Sequence, residues 1–181
     1  MIEVEKKFQP TDEQLEKMLE GAEFFGEVIL NDIYYDYLDY RLLKKSIRLR
    51  NRNGSFELKI GKGGGIAEEI EDEAEIAKYF GAEEIHDFLT ENMVVIMEFS
   101  NKRKSYLKEG FTIVLDDMSF DYKMCEIELI VEVEEEVKQA EEKILNFAKK
   151  YGLEQKKNIG KRQEYLKRFK PEIYKEVFGD K

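Results

Sequence analysis

Polar and apolar residues alternate with a period of two through much of this chain, and the alternation yields in a few places to a spacing near 3.6. "IEVEKKF" (2–8) puts Glu3, Glu5 and Lys7 on one parity and Ile2, Val4 and Phe8 on the other, as a strand with two unlike faces does. "QPTDEQLEKMLEGA" then predicts a helix. Thr11 and Gln14 make a capping-box pattern, and Leu15, Met18, Leu19 and Ala22 form one apolar stripe. "EFFGEVILNDIYYDY" returns to strand, rich in β-branched and aromatic residues. In "SIRLRNRNGSFELKI" two alternating runs flank Asn53-Gly54, the pair best suited to a tight hairpin.

"GKGGG" (61–65) reads as a flexible connection to a short strand, "IAEEIE", and residues 73–91 as helix with a stop at Gly81. Three long strands follow in "NMVVIMEFSNKRKSYL", "FTIVLDDMSF" and "YKMCEIELIVEVE", turned at Glu109-Gly110 and Asp121. Val137, Ala140, Ile144, Ala148 and Tyr151 mark an amphipathic helix closed by Gly152. "GKRQEYLKRFKPEIYKEVF" gives two short helices divided before Pro171. About eight strands with short connections predict an α+β fold, a closed or nearly closed antiparallel eight-stranded β-barrel with helices packed outside. No repeat or boundary interrupts residues 1–181, which read as a single domain.

Composition narrows the partners. A formal charge of −10 disfavours nucleic acid and anionic membranes as general partners. Any anion site must gather its cations locally. Cys125 is alone, so no internal disulfide forms, and with no membrane-length apolar run or leader the expected setting is the cytoplasm. Monomer and homodimer are both compatible with the sequence.

Sorting the strands by parity brings out the candidate chemistry. Arg48, Arg50 and Arg52 oppose Ile47 and Leu49, Glu57 and Lys59 oppose Phe56 and Leu58, and Glu126 and Glu128 oppose Cys125 and Ile127. Antiparallel sheets ordinarily wet one face, and charged faces alone would need no further account. The choice of charge does. Three alternating arginines repel one another unless an anion joins them, and their forks suit phosphate oxygens. Two Glu-x-Glu pairs are equally unfavourable unless a hard cation such as Mg²⁺ sits between them. If the charged faces turn inward, the helices cover the apolar faces and an acidic protein can hold a polyanion.

These residues resemble a known family. "EVEKK" carries the Glu-x-Glu-x-Lys signature of the triphosphate tunnel metalloenzymes, the CYTH superfamily, at Glu3, Glu5 and Lys7. "SIRLRNRNGSFELKI" is similar to its basic hairpin, with Arg48, Arg50 and Lys59 in place, "NKRKSY" to the segment bearing Arg103, "VLDDMSF" to that bearing Asp116, and "CEIELIVE" to the second Glu-x-Glu. "GKRQEYLKRFKPEIY" resembles the C-terminal segment of the thiamine-triphosphatase branch, with Lys161 facing substrate. The resemblance implies that Lys7, Arg48, Arg50, Lys59, Arg103 and Lys161 bind a triphosphate, that Glu3, Glu5, Asp116, Glu126 and Glu128 hold Mg²⁺ or Mn²⁺, and that Glu5, Lys59 and Arg103 act in catalysis. Water would attack the terminal phosphorus in line.

The chain departs from that pattern at Ile70, where the branch carries a basic residue; Lys62 is the candidate substitute. Strict alternation also places Arg103 on the parity of Met97 and Phe99 and nominates Lys102 and Lys104, unless a bulge near Asn101 intervenes. The implied reaction is metal-dependent hydrolysis of thiamine triphosphate. The alternatives are an inorganic tripolyphosphatase, a nucleoside triphosphatase, a class IV adenylate cyclase, and a non-catalytic polyphosphate-binding module. Tyr34, Tyr35, Phe56 and Tyr106 are all candidates to meet the organic part of the substrate.

Overall fold

Asn53 and Gly54 both take positive φ, 51° and 96°, the pair of left-handed conformations that a two-residue type I′ turn requires. They join β3 (Ile47–Arg52) to β4 (Ser55–Gly63), with Arg52 opposite Ser55 and Ile47 opposite Ile60. The register sorts Arg48, Arg50, Arg52, Glu57 and Lys59 onto one face and Leu49, Phe56 and Leu58 onto the other, as the alternation predicts.

The structure is a computed structural model and describes residues 2–63, 66–155 and 160–179. Its other strands are β1 (Ile2–Phe8), β2 (Glu23–Asp36), β5 (Ile66–Ile70), β6 (Val94–Lys108), β7 (Phe111–Met118) and β8 (Tyr122–Val131). The helices are α1 (Asp12–Leu19), α2 (Arg41–Lys44), α3 (Glu73–Tyr79), α4 (Ile85–Asn92), α5 (Val137–Lys150), α6 (Lys161–Phe169) and α7 (Pro171–Phe178). The fold is α+β. Its eight strands run in the order β1-β8-β7-β6-β2-β3-β4-β5, antiparallel in each described register. Closure into a barrel overstates this sheet. Among the described residues β1 and β5 end the order with one neighbour each, and a barrel requires its end strands to pair.

The chain divides into two compact units, one of residues up to Ile29 with Asn101–Glu164, the other of Leu30–Ser100 with Tyr165 onward. In the first, α1 and α5 cover one sheet face. Val4, Phe8, Ile113, Cys125 and Ile127 meet Met18, Ala140, Ile144 and Phe147 in a buried cluster, which places Cys125 in the core. Thr11 and Gln14 form the expected capping box, with Gln14 N–H donating to Thr11 Oγ1 at 3.3 Å and Thr11 N–H to Gln14 Oε1 at 2.9 Å. Gly152, at φ 71°, ends α5. Its N–H donates to Lys149 O and that of Leu153 to Ala148 O, both at 3.1 Å, the paired bonds of a Schellman cap.

In the second unit α2, α3 and α4 supply the cover. Leu42, Ile76, Ala77, Ile85 and Leu89 pack on Ile47, Leu49, Phe56 and Leu58. The periodicity does not predict α2, which is four residues long and held from outside itself. The buried Asp36 carboxylate accepts the N–H groups of Tyr37 at 2.7 Å, Leu42 at 3.0 Å and Leu43 at 2.9 Å. An Asp36→Ala protein should lose about 2–6 kcal/mol, because two buried N–H groups lose their acceptor at about 1–3 kcal/mol each. A urea titration reads this as a lower midpoint at unchanged slope, and an unmoved midpoint would refute it. Among the described residues no helix is long and apolar enough to cross a membrane.

Candidate active site

The face of the first unit's sheet that its helices leave uncovered carries charge on four adjacent strands, β1, β8, β7 and β6. In register, Glu5 stands opposite Glu128 and Lys7 opposite Glu126, while Arg103 stands opposite Asp116. Two of these pairs join opposite charges. The Glu5–Glu128 pair is a like-charge contact of the kind that destabilises a sheet.

Glu126 and Asp116, both buried, act as bridges. Glu126 lies 3.2 Å from Lys7 Nζ and accepts from Arg103 Nη2 at 2.8 Å; Lys7 also donates to Glu5. Asp116 accepts from Arg103 Nε and Nη2, both at 2.7 Å, and from Lys161 Nζ at 3.3 Å. Burial alone would raise the Asp116 carboxyl. The Arg103 hydrogen bonds and the Lys161 and Arg103 charges outweigh it and hold the group at about 2. Burial likewise disfavours the charged Lys7, but Glu126 and Glu5 win and its pKa is raised. The guanidinium of Arg103 is thus clamped along one edge, and Nη1 has no protein partner among the described residues.

Three carboxylates lie apart from this clamp. Glu3, Glu5 and Glu128 each present an oxygen within 4.8 Å of the others. Burial first, then the charges of Glu3 and Glu126, push the Glu128 carboxyl up to about 8. An all-oxygen donor set whose members repel one another fits a hard divalent cation. The acidic residues expected to act together are therefore divided. Glu3, Glu5 and Glu128 converge, whereas Asp116 and Glu126 serve as counter-ions to Lys7, Arg103 and Lys161.

The register sets the faces of residues 102–104. From Asn101 opposite Met118 to Lys108 opposite Phe111 the pairing is continuous, so across this stretch there is no bulge. Arg103 does share its parity with the buried Met97 and Phe99; that row of β6 simply changes from apolar to polar at Asn101. Lys102 and Lys104 are on the opposite parity, 3.1 and 3.7 Å from Glu27. Lys6, also off the charged row, pairs with Glu141 of α5 at 2.5 Å.

The second unit has its own charged row. Asp32, wholly buried, receives Arg52 through two hydrogen bonds of 2.7 and 2.9 Å. Glu57 accepts Arg50 Nε at 2.9 Å, and Lys59 lies 3.6 Å from Glu69. Arg48 has no ion-pair partner among the described residues, and the residue opposite it in register is Lys59, another cation. The anion that the arginine alternation calls for is thus supplied from within for Arg50 and Arg52, and not for Arg48.

The sequence places Glu57 on the charged face but does not single out Asp32, though "NDIYYDY" sets Asp32, Tyr34 and Asp36 on one parity. Tyr34 is the aromatic candidate on the charged row. Its hydroxyl donates to Asp32 at 3.4 Å and accepts from Arg50 Nη1 at 3.5 Å. Tyr35 and Phe56 pair with each other on the helix-covered side, and Tyr106 packs against the first unit's core. Ile70 pairs with Leu58 on the apolar face, while the side chain of Lys62 lies outside the described residues.

Residues 1–161 match the family model of the CYTH domain. This chain belongs to the CYTH family. A thiamine-triphosphatase of Macaca fascicularis is 27% identical to this CYTH protein over 98% of it and 89% of the relative. One of Homo sapiens is 26% identical over the same shares. Among solved structures, a Pyrococcus horikoshii OT3 protein of 28% identity matches 84% of the chain and 92% of its own length at a TM-score of 0.62. A Hippeastrum protein described as a candidate adenylyl cyclase with a dominant triphosphatase activity is similar to this chain in fold. It is 18% identical, with a TM-score of 0.58 over 92% of this chain and 95% of its own.

Proposed function

We propose that this chain, acting as a single domain, hydrolyses thiamine triphosphate to thiamine diphosphate and phosphate with the help of Mg²⁺ or Mn²⁺. One observation carries the reading: on one sheet face three mutually repelling carboxylates converge beside a lysine and an arginine that other carboxylates hold in place. The thiamine-triphosphatases at 27% and 26% identity support the choice of substrate.

Glu3, Glu5 and Glu128 would hold the cation, which when bound neutralises charge on the phosphate oxygens. Lys7, Arg103 and Lys161, at the same sheet face as those carboxylates, take the phosphate oxygens, while Arg48, Arg50 and Lys59 each offer a cation suited to phosphate on the charged row of their own unit. Arg103 offers Nη1 from an already clamped fork, so little side-chain freedom remains to be lost on binding. Water attacks the terminal phosphorus in line, the bond to the diphosphate oxygen breaks, and the water's proton passes to solvent. Phosphoryl transfer of this kind needs position and charge more than a side-chain nucleophile.

The test is phosphate release from thiamine triphosphate, inorganic tripolyphosphate and a nucleoside triphosphate, each with and without Mg²⁺. Thiamine triphosphate should turn over fastest, and Glu5→Gln should lower its rate by about 10²-fold or more, the scale of removing one charge-stabilising group. Metal-independent release, or a Glu5→Gln protein as active as its parent, would sink the assignment. Pyrophosphate with a cyclic nucleotide would mean a cyclase, and tight binding without turnover at any divalent metal a binding module. In the same assay Lys7→Ala should lose about 10²-fold while Lys6→Ala stays within about twofold of the parent. Equal effects would remove Lys7 from the site.

A further inference from the structure

Asn101 is the polar residue of the charged row for which the clamp has no evident use. It is wholly buried, and neither Nδ2 nor Oδ1 has a hydrogen-bond partner of ordinary geometry among the described residues. Buried amides are almost always paired, and an exception asks for an explanation. Its surroundings supply one. Asn101 precedes Arg103 by two residues on β6, and both face β7, where Met118 and Asp116 stand opposite them in register. Asp116 is therefore the diagonal neighbour of Asn101 on the same face, within reach of a side chain of this length. The amide also acts on the Asp116 carboxyl as one of the groups that keep it ionised.

Asp116 has three bonds to place on two oxygens. Oδ1 serves Arg103 Nε, and Oδ2 serves both Arg103 Nη2 and Lys161 Nζ. The plane of that carboxylate sets the plane of the guanidinium, and with it the direction in which Nη1 points. An amide donor behind the carboxylate would fix that plane. Hydrogen bonds of this kind are often long or misaligned in a ligand-free protein and tighten in the loaded one.

We propose that Asn101 is a positioning residue: it donates through Nδ2 to Asp116 and so holds the Arg103 guanidinium and the Lys161 ammonium in the geometry that receives phosphate. This rests on the triphosphate reading above. It adds to that reading a buried neutral residue that need not touch the substrate.

Asn101→Leu tests it, because leucine has the same number of side-chain heavy atoms, branched at the same carbon, and no polar atoms to leave unpaired. Asp116 keeps its bonds from Arg103 and Lys161 in this variant, and the buried Oδ1 that lacks a partner among the described residues is removed, so the urea midpoint should stay close to the parent's. Turnover should nonetheless fall by about 10-fold to 100-fold in kcat/KM, a scale seen when supporting groups around a site are lost. On an Asp116→Asn background the same substitution should have little further effect, since both act through one group. A stable Asn101→Leu protein with parental kcat/KM, or an effect of equal size on both backgrounds, would overturn the proposal.

A second readout separates its failure from that of the functional reading. In ¹⁵N spectra without any ligand, the Arg103 Nε–H signal should be sharp in the parent and broadened by exchange with water in Asn101→Leu. If the parent neither binds nor cleaves any triphosphate, the functional reading falls, and the Arg103 signal still decides whether Asn101 positions it. An unchanged signal would overturn that role.

Discussion

An Arg103→Ala protein should lose turnover of its triphosphate by about 10³-fold or more, the largest loss expected of any single change in the site. Two effects combine. The donor Nη1 disappears, and the carboxylates of Asp116 and Glu126, buried on the same sheet face, lose the cation that joins them. Removing one partner of a buried pair typically costs about 3–5 kcal/mol. Stability must therefore be measured beside activity.

Arg103→Lys separates the two effects. It keeps the positive charge near Asp116 but cannot make the two parallel bonds or present a third nitrogen. Its urea midpoint should return most of the way to the parent's, while kcat/KM stays low by about 10-fold to 100-fold. A folded Arg103→Ala protein with near-parental kcat/KM would exclude Arg103 from the reaction. Full recovery of kcat/KM in Arg103→Lys would show that charge alone is required.

The second large contrast lies within the hairpin. Arg52→Ala should destabilise the protein by about 3 kcal/mol, because the wholly buried Asp32 carboxylate loses its two-pronged partner and keeps a more distant cation, Arg50 at 3.8 Å. Arg48→Ala, four residues earlier on the same face, should move stability by no more than about 0.5 kcal/mol. Arg48 has no ion-pair partner to strand among the described residues, and Lys59 opposite it gains from the loss of a like charge. Its effect should appear instead as a rise of about 10-fold in KM, with kcat less affected, if Arg48 contributes uniform binding to the triphosphate. Chemical unfolding and steady-state kinetics on the two variants check both halves. If Arg52→Ala is as stable as the parent, Arg50 suffices as the counter-ion of Asp32; if Arg48→Ala unfolds, it has a structural role that its surroundings do not suggest.

That contrast marks where the sequence stops being legible. Period-two alternation identifies which face each arginine is on, and Asn53-Gly54 identifies the turn that aligns them. It cannot say that Asp32, twenty residues before Arg52, lies beside it, because that depends on how β2 pairs with β3. The acidic residues repeat the lesson. Glu126 and Glu128 look alike in "CEIELIVE", yet register sets one opposite Lys7 and the other opposite Glu5. One is a counter-ion and the other joins the carboxylate cluster. Capping signals were readable at α1 and α5 because they are local. The helix α2 was not, since its reason for existing is a carboxylate outside it. Arg103 appeared to need a bulge only because a charged residue was not expected to continue an apolar row.

The two charged rows also differ in when they can form. Arg50 and Glu57 are seven residues apart across a tight turn, and hairpins of this sort close in about 1–10 μs. Glu5 finds Glu128 only when the first strand pairs with the eighth, a closure that carries the entropy of nearly the whole intervening chain. During synthesis β1 emerges before every other strand and its partner after all of them, so the like-charged pair is among the last contacts the chain can make. Until then Glu3 and Glu5 bear no repulsion from Glu128. This like-charge juxtaposition arrives once other strands have had the chance to assemble, and folding need not pass through it early.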